Sequence, residues 1–127
     1  MIVADTDVLI DSLRGRQPMT DRIAHEIRAG RLATTAINLF ELLAGARTDR
    51  ERHKVEKLLE ALDILTFGET AAREAARIRR ELETGGQPIG MADSLIAGIC
   101  VAHSASLITR NTVHFGRVKG LLLSKEP

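Results

Sequence analysis

The first ten residues of the chain, MIVADTDVLI at positions 1–10, carry the pattern that decides the fold. They open with an apolar run typical of a buried strand, and Asp5 follows that run directly. The next stretch predicts a short helix over residues 8–13, for which Asp7 is a suitable N-cap. A buried strand followed at once by a helix is the repeating unit of α/β folds with a parallel sheet, so this stretch predicts that class.

The rest of the chain continues the same alternation. Further strands are predicted at residues 32–35, within 62–67 and at 106–109, with a short edge strand at 121–123. Helices are predicted at residues 20–29, 36–46, 49–62, 69–84 and 91–103. We therefore expect a central parallel sheet of about four to five strands with helices on both faces. Ligands of such sheets bind beyond the carboxyl ends of the strands, so functional residues are expected at that edge.

Length and composition favour one cytoplasmic domain spanning residues 1–127. The chain is 44% hydrophobic and 28% charged, which is ordinary for a soluble globular protein. No apolar run is long enough to span a membrane, and the start of the chain lacks the basic region of a secretory signal. The single cysteine, Cys100, excludes a disulfide framework and a cysteine zinc cluster, and it is expected to pack as a small core residue.

The basic residues suggest contact with phosphate. Of the 18 basic residues, 14 are Arg and 4 are Lys, and Arg grips phosphate with two parallel hydrogen bonds. A codon bias of the source genome is the alternative explanation. The chain has three Phe and neither Trp nor Tyr, which disfavours a base-stacking surface. Any nucleic acid is therefore expected to be held mainly through its backbone.

Three acids lie in apolar surroundings where acids are uncommon. Asp5 follows the first strand, Glu41 interrupts the apolar helix 36–46, and Asp93 lies near the start of the apolar helix 91–103. Burying a lone carboxylate costs several kcal/mol unless it is paired or binds a metal. Three acids without paired His or Cys suit a hard cation such as Mg²⁺ or Mn²⁺, which commonly acts on phosphates.

Each acid also has a purely structural interpretation. Asp5 could form a turn or cap a helix, but Asp7 is available as the N-cap, which favours a functional Asp5. Asp93 could simply complement the dipole of its helix. Glu41 could lie on a solvent-facing stripe, although its helix is apolar almost all round and is therefore expected to be buried. The hydroxyl of Thr109 is interpreted as an ordinary backbone partner.

Four segments together resemble the motifs of PIN-domain proteins. They are VADTDVLI at 3–10, TAINLFEL at 35–42, IGMADSLIA at 89–97 and LITRNTVHF at 107–115. Their order and spacing match from residue 2 to about residue 123. The short chain further resembles the VapC-type toxins of bacterial toxin–antitoxin pairs.

This resemblance implies a PIN-like α/β/α sandwich and a Mg²⁺- or Mn²⁺-dependent endoribonuclease. It also implies a homodimer and a small antitoxin whose tail occupies the active site. In the roles implied by the resemblance, Asp5 and Asp93 ligate the metal and Glu41 completes the acidic cluster. Hydrogen bonds from Thr6, Asn38 and Asn111 would support these acids.

The chain departs from the PIN pattern at one position. Many relatives carry an acid just before the Phe of the fourth motif, where this chain has His114. Asp7 could compensate as part of the metal's outer shell, and His114 could join that shell, contact RNA phosphate, carry protons or be peripheral. The residues expected to grip the RNA backbone are Arg14, Arg16, Arg110, Arg117 and Lys119.

Two alternatives to a nuclease remain open from the sequence. One is a degenerate PIN fold that binds RNA or a partner without cutting it, which the missing acid at position 114 would allow. The other is a phosphatase of the haloacid-dehalogenase type, in which Asp5 would be the nucleophile and Asp7 the acid. Leu9 does not fit the phosphatase pattern, and the chain lacks a late Asp pair and a clear catalytic Lys.

Overall fold

Four parallel strands form the centre of the computed structural model, which describes residues 1–125. The last two residues of the predicted domain, 126 and 127, lie outside this range. The strands are β1 (Ile2–Ala4), β2 (Leu32–Thr35), β3 (Asp63–Leu65) and β4 (Ser106–Ile108). They lie in the order β3-β2-β1-β4, and every neighbouring pair is parallel. The predicted parallel sheet is therefore confirmed.

Seven helices connect and cover these strands in the described part of the chain. They are α1 (Thr6–Leu13), α2 (Met19–Arg28), α3 (Ala36–Gly45), α4 (Asp49–Glu60), α5 (Glu69–Thr84), α6 (Met91–Ala102) and α7 (Thr112–Phe115). The short helix α7 was not predicted from the sequence. Among residues 1–125, no helix combines the length and the apolar character needed to cross a membrane.

The predicted edge strand at 121–123 is reduced to one isolated bridge. Leu123 pairs in parallel with Leu107 of β4, and the backbone N–H of Leu107 donates to the carbonyl of Leu122 at 2.8 Å. The N–H of Ser124 donates back to the carbonyl of Leu107, also at 2.8 Å. The chain thus covers the edge of β4 without forming a fifth strand.

Two hydrophobic cores lie on opposite faces of the sheet. Alternate residues of a strand point to opposite faces, so Val3 enters one core and Ala4 the other. The first core includes buried residues of α5 and α6, and the second includes buried residues of α1 to α4. This α/β/α sandwich is the predicted architecture, and Cys100 is fully buried in the first core, as expected.

The helices α5 and α6 approach closely at Gly98. A Cβ atom at Gly98 would lie 2.7 Å from the carbonyl oxygen of Ala71 and 2.7 Å from Cβ of Ala75. Glycine is therefore required at this position by the packing of the two helices. This contact holds α6, which carries Asp93 in its first turn, against the layer that covers the sheet.

Two local predictions were wrong. The N-cap of α1 is Asp5, not Asp7: its backbone is extended (φ −72°, ψ 161°) and its side chain accepts a hydrogen bond from the N–H of Thr6. Asp7 lies in the first helical turn instead. The helix α3 is also not buried all round, because Phe40 is 68% exposed and only Asn38 and Leu42 are buried.

Candidate active site

The carboxyl ends of β1, β2 and β4 bring polar residues from distant parts of the sequence to one edge of the sheet. Asp5 directly follows β1, Thr35 ends β2, and Thr109 directly follows β4. All three side chains are buried, with exposed fractions of 7%, 0% and 2% respectively. The edge predicted to hold the functional residues therefore contains a buried polar cluster.

Asp5 is the centre of this cluster. Its Oδ1 accepts hydrogen bonds from the backbone N–H of Thr6 at 2.8 Å and from Nδ2 of Asn38 at 3.0 Å. Its Oδ2 accepts a hydrogen bond from the hydroxyl of Thr109 at 2.6 Å. Each carboxylate oxygen can accept a further contact, since an ionised carboxylate has about four lone-pair sites. The structure thus gives Asp5 two tasks, capping α1 and anchoring the cluster.

The start of α3 fixes the orientation of the amide that reaches Asp5. The hydroxyl of Thr35 donates to Oδ1 of Asn38 at 2.7 Å, so Nδ2 of Asn38 faces Asp5. The same Nδ2 lies 2.9 Å from the hydroxyl oxygen of Thr6. That hydroxyl in turn donates to Oε1 of Glu41 at 2.7 Å. A continuous chain of hydrogen bonds therefore joins Glu41 to Asp5.

A second set of side chains surrounds Asp93. Nδ2 of Asn111 lies 3.4 Å from Oδ2 of Asp93 and 3.0 Å from Nδ1 of His114. Nδ1 of His114 is 3.7 Å from the same carboxylate oxygen of Asp93. The backbone N–H of Asn111 donates to the hydroxyl of Thr109 at 3.0 Å, which links this set to the cluster around Asp5.

Asp7 lies beside Asp5 and is held by the loop after β4. Its Oδ2 accepts a hydrogen bond from the backbone N–H of Arg110 at 3.0 Å. Its Oδ1 is buried and has no hydrogen-bond partner among the described residues. An unpaired buried carboxylate oxygen is unfavourable, so Asp7 retains capacity for a further donor or a cation.

Negative charge is crowded at this edge. Burial raises the pKa of Asp7 above its ordinary value, and the charge of Asp5 raises it further. Hydrogen bonds from the backbone N–H groups of Arg110 and Val8 lower this pKa, but by less. Burial and the charge of Asp5 also raise the pKa of Asp93, whereas His114 lowers it. A bound cation would relieve this repulsion, because an opposite charge favours the ionised form of each acid.

The residues present fit a hard cation, and Glu41, which was expected to complete the acidic cluster around Asp5 and Asp93, contacts Thr6. Within residues 1–125, no group of three or more His, Cys, Asp or Glu side chains is arranged to hold a metal ion. Glu41 is instead occupied by the hydroxyl of Thr6. Mg²⁺ often binds through one or two carboxylates and keeps several waters. Asp5 and Asp93 offer the oxygen donors that such an open site needs.

The five basic residues predicted to grip RNA occupy different surroundings. Arg16 and Arg110 both form ion pairs with Asp11 of α1, at 3.6 and 3.2 Å. Arg14 borders a groove next to Glu41. The other two are engaged elsewhere: Arg117 donates to the carbonyl of Pro88 at 3.2 Å, and Lys119 borders a separate depression at the end of α5.

Sequence reasoning missed the contacts of two hydroxyls that organise the site and of one buried acid beside it. Thr109 and Thr35 were present in the quoted motifs, but the hydroxyl of Thr109 binds Asp5 across the sheet edge and that of Thr35 binds Asn38 at the start of α3. Thr109 was interpreted as an ordinary backbone partner, which is incomplete. Asp11 carried no signal, because an acid four residues after Asp7 on a helix is commonly exposed, whereas here it is 6% exposed.

Comparison with known proteins shows the family to which the chain belongs. The sequence matches the model of the PIN domain over residues 2–121, nearly the whole chain. The chain therefore belongs to the PIN-domain family. This membership confirms the resemblance drawn from the four motifs and argues against the phosphatase alternative.

Its relatives include VapC ribonucleases. The chain is 30% identical over 121 residues to the tRNA(fMet)-specific endonuclease VapC of Shigella flexneri, covering 92% of this chain and 91% of that protein. It is 35% identical over 115 residues to ribonuclease VapC10 of Mycobacterium tuberculosis, covering 91% and 86%.

Solved structures of VapBC complexes share the fold. The structure of VapBC2 from Rickettsia felis, bound to a DNA fragment from its promoter, matches with a TM-score of 0.89, 26% identity and coverage of 98% of both chains. DNA-bound VapBC from Salmonella typhimurium also gives a TM-score of 0.89, with 26% identity and coverage of 97% and 96%.

Proposed function

We propose that the protein is an endoribonuclease that depends on Mg²⁺ or Mn²⁺ and hydrolyses RNA phosphodiesters at the Asp5 edge of the sheet. The observation that carries this proposal is the buried, triply hydrogen-bonded carboxylate of Asp5, whose charge raises the pKa of both neighbouring acids. The ribonuclease names of the relatives support the choice of RNA as substrate. An RNA substrate also agrees with the cytoplasmic location expected from the sequence.

Asp5 and Asp93 are the residues that would hold the metal. When bound, the ion would supply a nucleophilic hydroxide from water and neutralise charge on the phosphate. Asn38 and Thr109 keep the carboxylate of Asp5 in place with hydrogen bonds to both oxygens. Nδ2 of Asn111 donates one hydrogen bond, at 3.4 Å, to Oδ2 of Asp93. Loss of such a supporting contact typically lowers metal affinity or activity by about 10- to 100-fold.

Glu41 and His114 border the reacting centre without closing it. Glu41 is only partly buried and accepts from Thr6, so it adds negative charge at the mouth of the site. His114 is half-exposed, with 45% of its side chain accessible, and contacts Asn111. Its position suits contact with substrate phosphate or proton transfer near neutral pH, as considered from the sequence.

The proposed biological role is that of the toxin of a toxin–antitoxin pair. The VapBC titles of the structural neighbours support a small antitoxin as the partner. A groove of about 270 Å³ adjoins Glu41; its lining combines the apolar side chains of Ile10, Leu13, Leu42 and Val55 with the charged side chains of Arg14, Glu51 and Lys54. An apolar segment of a partner lying in this groove would end beside the active site.

A homodimer is the proposed form of the toxin. Three large hydrophobic residues are exposed next to site residues: Phe40 (68%), Met91 (64%) and Val113 (70%). They precede Glu41, Asp93 and His114 by one or two positions. Exposed apolar side chains around a site often mark an interface. Light scattering of the purified protein measures this directly, and a monomer at working concentration contradicts the dimer.

The nuclease proposal is tested with purified protein and total cellular RNA. We expect cleavage with Mg²⁺ or Mn²⁺, loss of cleavage with a chelator, and mapped 5′ ends that define the sites. Asp5→Asn and Asp93→Asn should abolish cleavage, whereas the exposed Asp63→Asn serves as a matched control. Tight RNA binding without metal-stimulated cleavage would instead favour the degenerate PIN alternative.

A further inference from the structure

One buried acid outside the proposed metal site forms ion pairs with two arginines. Asp11 lies on α1, four residues after Asp7, and is 6% exposed. Its Oδ1 is 3.6 Å from Nη1 of Arg16, and its Oδ2 is 3.2 Å from Nε of Arg110. The two basic residues are 94 positions apart in sequence, so only the fold brings them together.

Both arginines are hydrogen-bonded through their backbone N–H groups, and their side chains are exposed. The N–H of Arg16 donates to the carbonyl of Asp11 at 2.9 Å, and the N–H of Arg110 donates to Oδ2 of Asp7 at 3.0 Å. More than half of each arginine side chain is nevertheless accessible, 56% and 53%. Each guanidinium meets Asp11 through one nitrogen, which leaves its other N–H groups available as donors.

The two exposed arginine side chains set this cluster apart from the other arginine clusters. One aspartate and two arginines carry a formal net charge of +1, which one phosphodiester would balance. On α5, Arg73 and Arg79 are each matched by one glutamate, so their charge is already neutralised. At Glu26, Arg31 donates two hydrogen bonds to the carboxylate, and the side chain of Arg22 is only 16% exposed.

The location suits a phosphate next to the reacting one. Four residues of helix rise about 6 Å, so Asp11 lies roughly one helical turn from Asp7 and the metal-binding edge. This spacing is on the scale of successive phosphates along an extended nucleic-acid strand. Guanidinium groups held in place bind phosphate at a lower entropic cost than freely moving ones.

We propose that Arg16 and Arg110, organised by Asp11, bind the RNA phosphate adjacent to the scissile phosphodiester. This inference rests on the proposed nuclease function and assigns a specific substrate contact to it. Asp11 is a positioning residue: it does not touch RNA but attracts the two guanidinium groups through ion pairs at 3.6 and 3.2 Å. Glu26 also contacts two arginines, but there Arg31 donates two hydrogen bonds to the carboxylate and Arg22 is only 16% exposed.

The test is binding of a labelled single-stranded RNA oligonucleotide in chelator at several salt concentrations. Arg16→Ala and Arg110→Ala should each weaken binding and reduce the salt slope by about 0.7, the value for one phosphate contact on a single strand. Arg79→Ala is the matched control, since Arg79 is also 53% exposed and also paired with a carboxylate. An unchanged slope in both site variants overturns the proposal.

Asp11→Asn gives the clearest result, because the two explanations predict opposite changes in RNA affinity. If Asp11 only repels RNA, removal of its negative charge should tighten binding. If it organises the two arginines, its removal should weaken binding despite the more positive charge. Thermal unfolding of each variant identifies any loss of the fold, and Arg16→Lys and Arg110→Lys repeat the test with the charge retained.

Cleavage assays with metal separate this proposal from the nuclease proposal. We expect KM to rise in the arginine variants by more than kcat falls, because the contact is made to substrate outside the reacting group. If wild type cleaves RNA and the Arg16→Ala and Arg110→Ala variants have the same kinetic constants as Arg79→Ala, only the phosphate-binding proposal is overturned. Absence of metal-stimulated cleavage by wild type overturns the nuclease function and the pair with it.

Discussion

The hydroxyl of Thr109 donates a hydrogen bond of 2.6 Å to Oδ2 of Asp5, across 104 residues of sequence. The same hydroxyl oxygen accepts from the backbone N–H of Asn111 at 3.0 Å. One side chain therefore connects the end of β4 with the end of β1 and with the residue that reaches Asp93. Because both contacts are buried or half-buried, their loss should affect folding and cleavage together.

Thr109→Val is predicted to destabilise the protein by about 1–3 kcal/mol, since it leaves an N–H and a carboxylate oxygen without their partner. Cleavage should fall by about 10- to 100-fold through loss of support for Asp5. Thr109→Ser keeps the hydroxyl and is the control. Urea unfolding and a cleavage assay measure both effects, and equal behaviour of the Val and Ser variants would contradict this role.

The pKa of Asp93 should move in opposite directions in two variants of the metal-free protein. Asp5→Asn removes a nearby negative charge and should lower the pKa of Asp93, whereas His114→Ala removes a group that lowers it and should raise it. Carbon NMR of the side-chain carboxyl groups during a pH titration measures both shifts. A shift in the same direction in both variants would show that Asp5 and His114 do not act on Asp93 as described.

The raised pKa values of Asp7 and Asp93 also predict a pH dependence of stability without metal. Above the ordinary value of 3.8, the folded protein holds these protons while the unfolded chain has begun to release them. The contribution of these two groups to the free energy of unfolding is therefore greatest at low pH. It decreases as the pH rises from 3.8 through their raised pKa values. Asp93→Asn should gain stability over wild type as the pH rises above 3.8, because Asn has no proton to release.

Thermal unfolding at several pH values measures this gain, and Asp63→Asn again provides the comparison because Asp63 is exposed. Added Mg²⁺ or Mn²⁺ should stabilise wild type and have a smaller effect on Asp93→Asn, because a bound cation stabilises the folded state by mass action. A gain of the same size in Asp63→Asn would mean that general charge, not the site, is responsible.

Gly98→Ala should destabilise the fold by about 1–3 kcal/mol, the usual cost of overpacking. The added methyl group would lie within 2.7 Å of a backbone oxygen of α5, which cannot move independently of its helix. Gly45→Ala is the matched control, because no atom lies within 4 Å of the added group. Urea unfolding of both variants should show a loss for position 98 and little loss for position 45.

Cys100 should be unreactive in the folded protein. Burial raises the pKa of its thiol to about 12, and the charge of Asp5 raises it as well, so almost no thiolate exists near neutral pH. A thiol reagent should therefore modify Cys100 only as the protein unfolds in urea. Rapid modification in native buffer would show that the first core opens locally.

Much of the fold could be predicted because its signals are local. The strand β2 and the helix α5 were predicted with the observed bounds, since an apolar run and a glycine-ended amphipathic pattern are contained in consecutive residues. The helix α7 was missed because its four residues are too few to show periodicity. The N-cap of α1 was misplaced by two residues because two aspartates compete for the same task within three positions.

The burial of α3 was mispredicted for a different reason. Its composition is apolar almost all round, and composition alone gives no sign of which face meets the sheet. The structure leaves Phe40 exposed, which is explained if a partner covers that face. Sequence patterns register hydrophobicity, but they do not distinguish a core from an interface.

By itself, the sequence determined the parallel α/β sheet, its strand-end acids and the PIN-domain family, because these follow from periodicity and from motifs of adjacent residues. Only the tertiary structure decided which polar groups touch: Asp5 with Asn38 and Thr109, and Asp11 with two distant arginines. The physical reason is that hydrogen bonds and ion pairs act over a few ångströms in space. Their partners are selected by how strands and helices pack, which spacing along the chain does not encode.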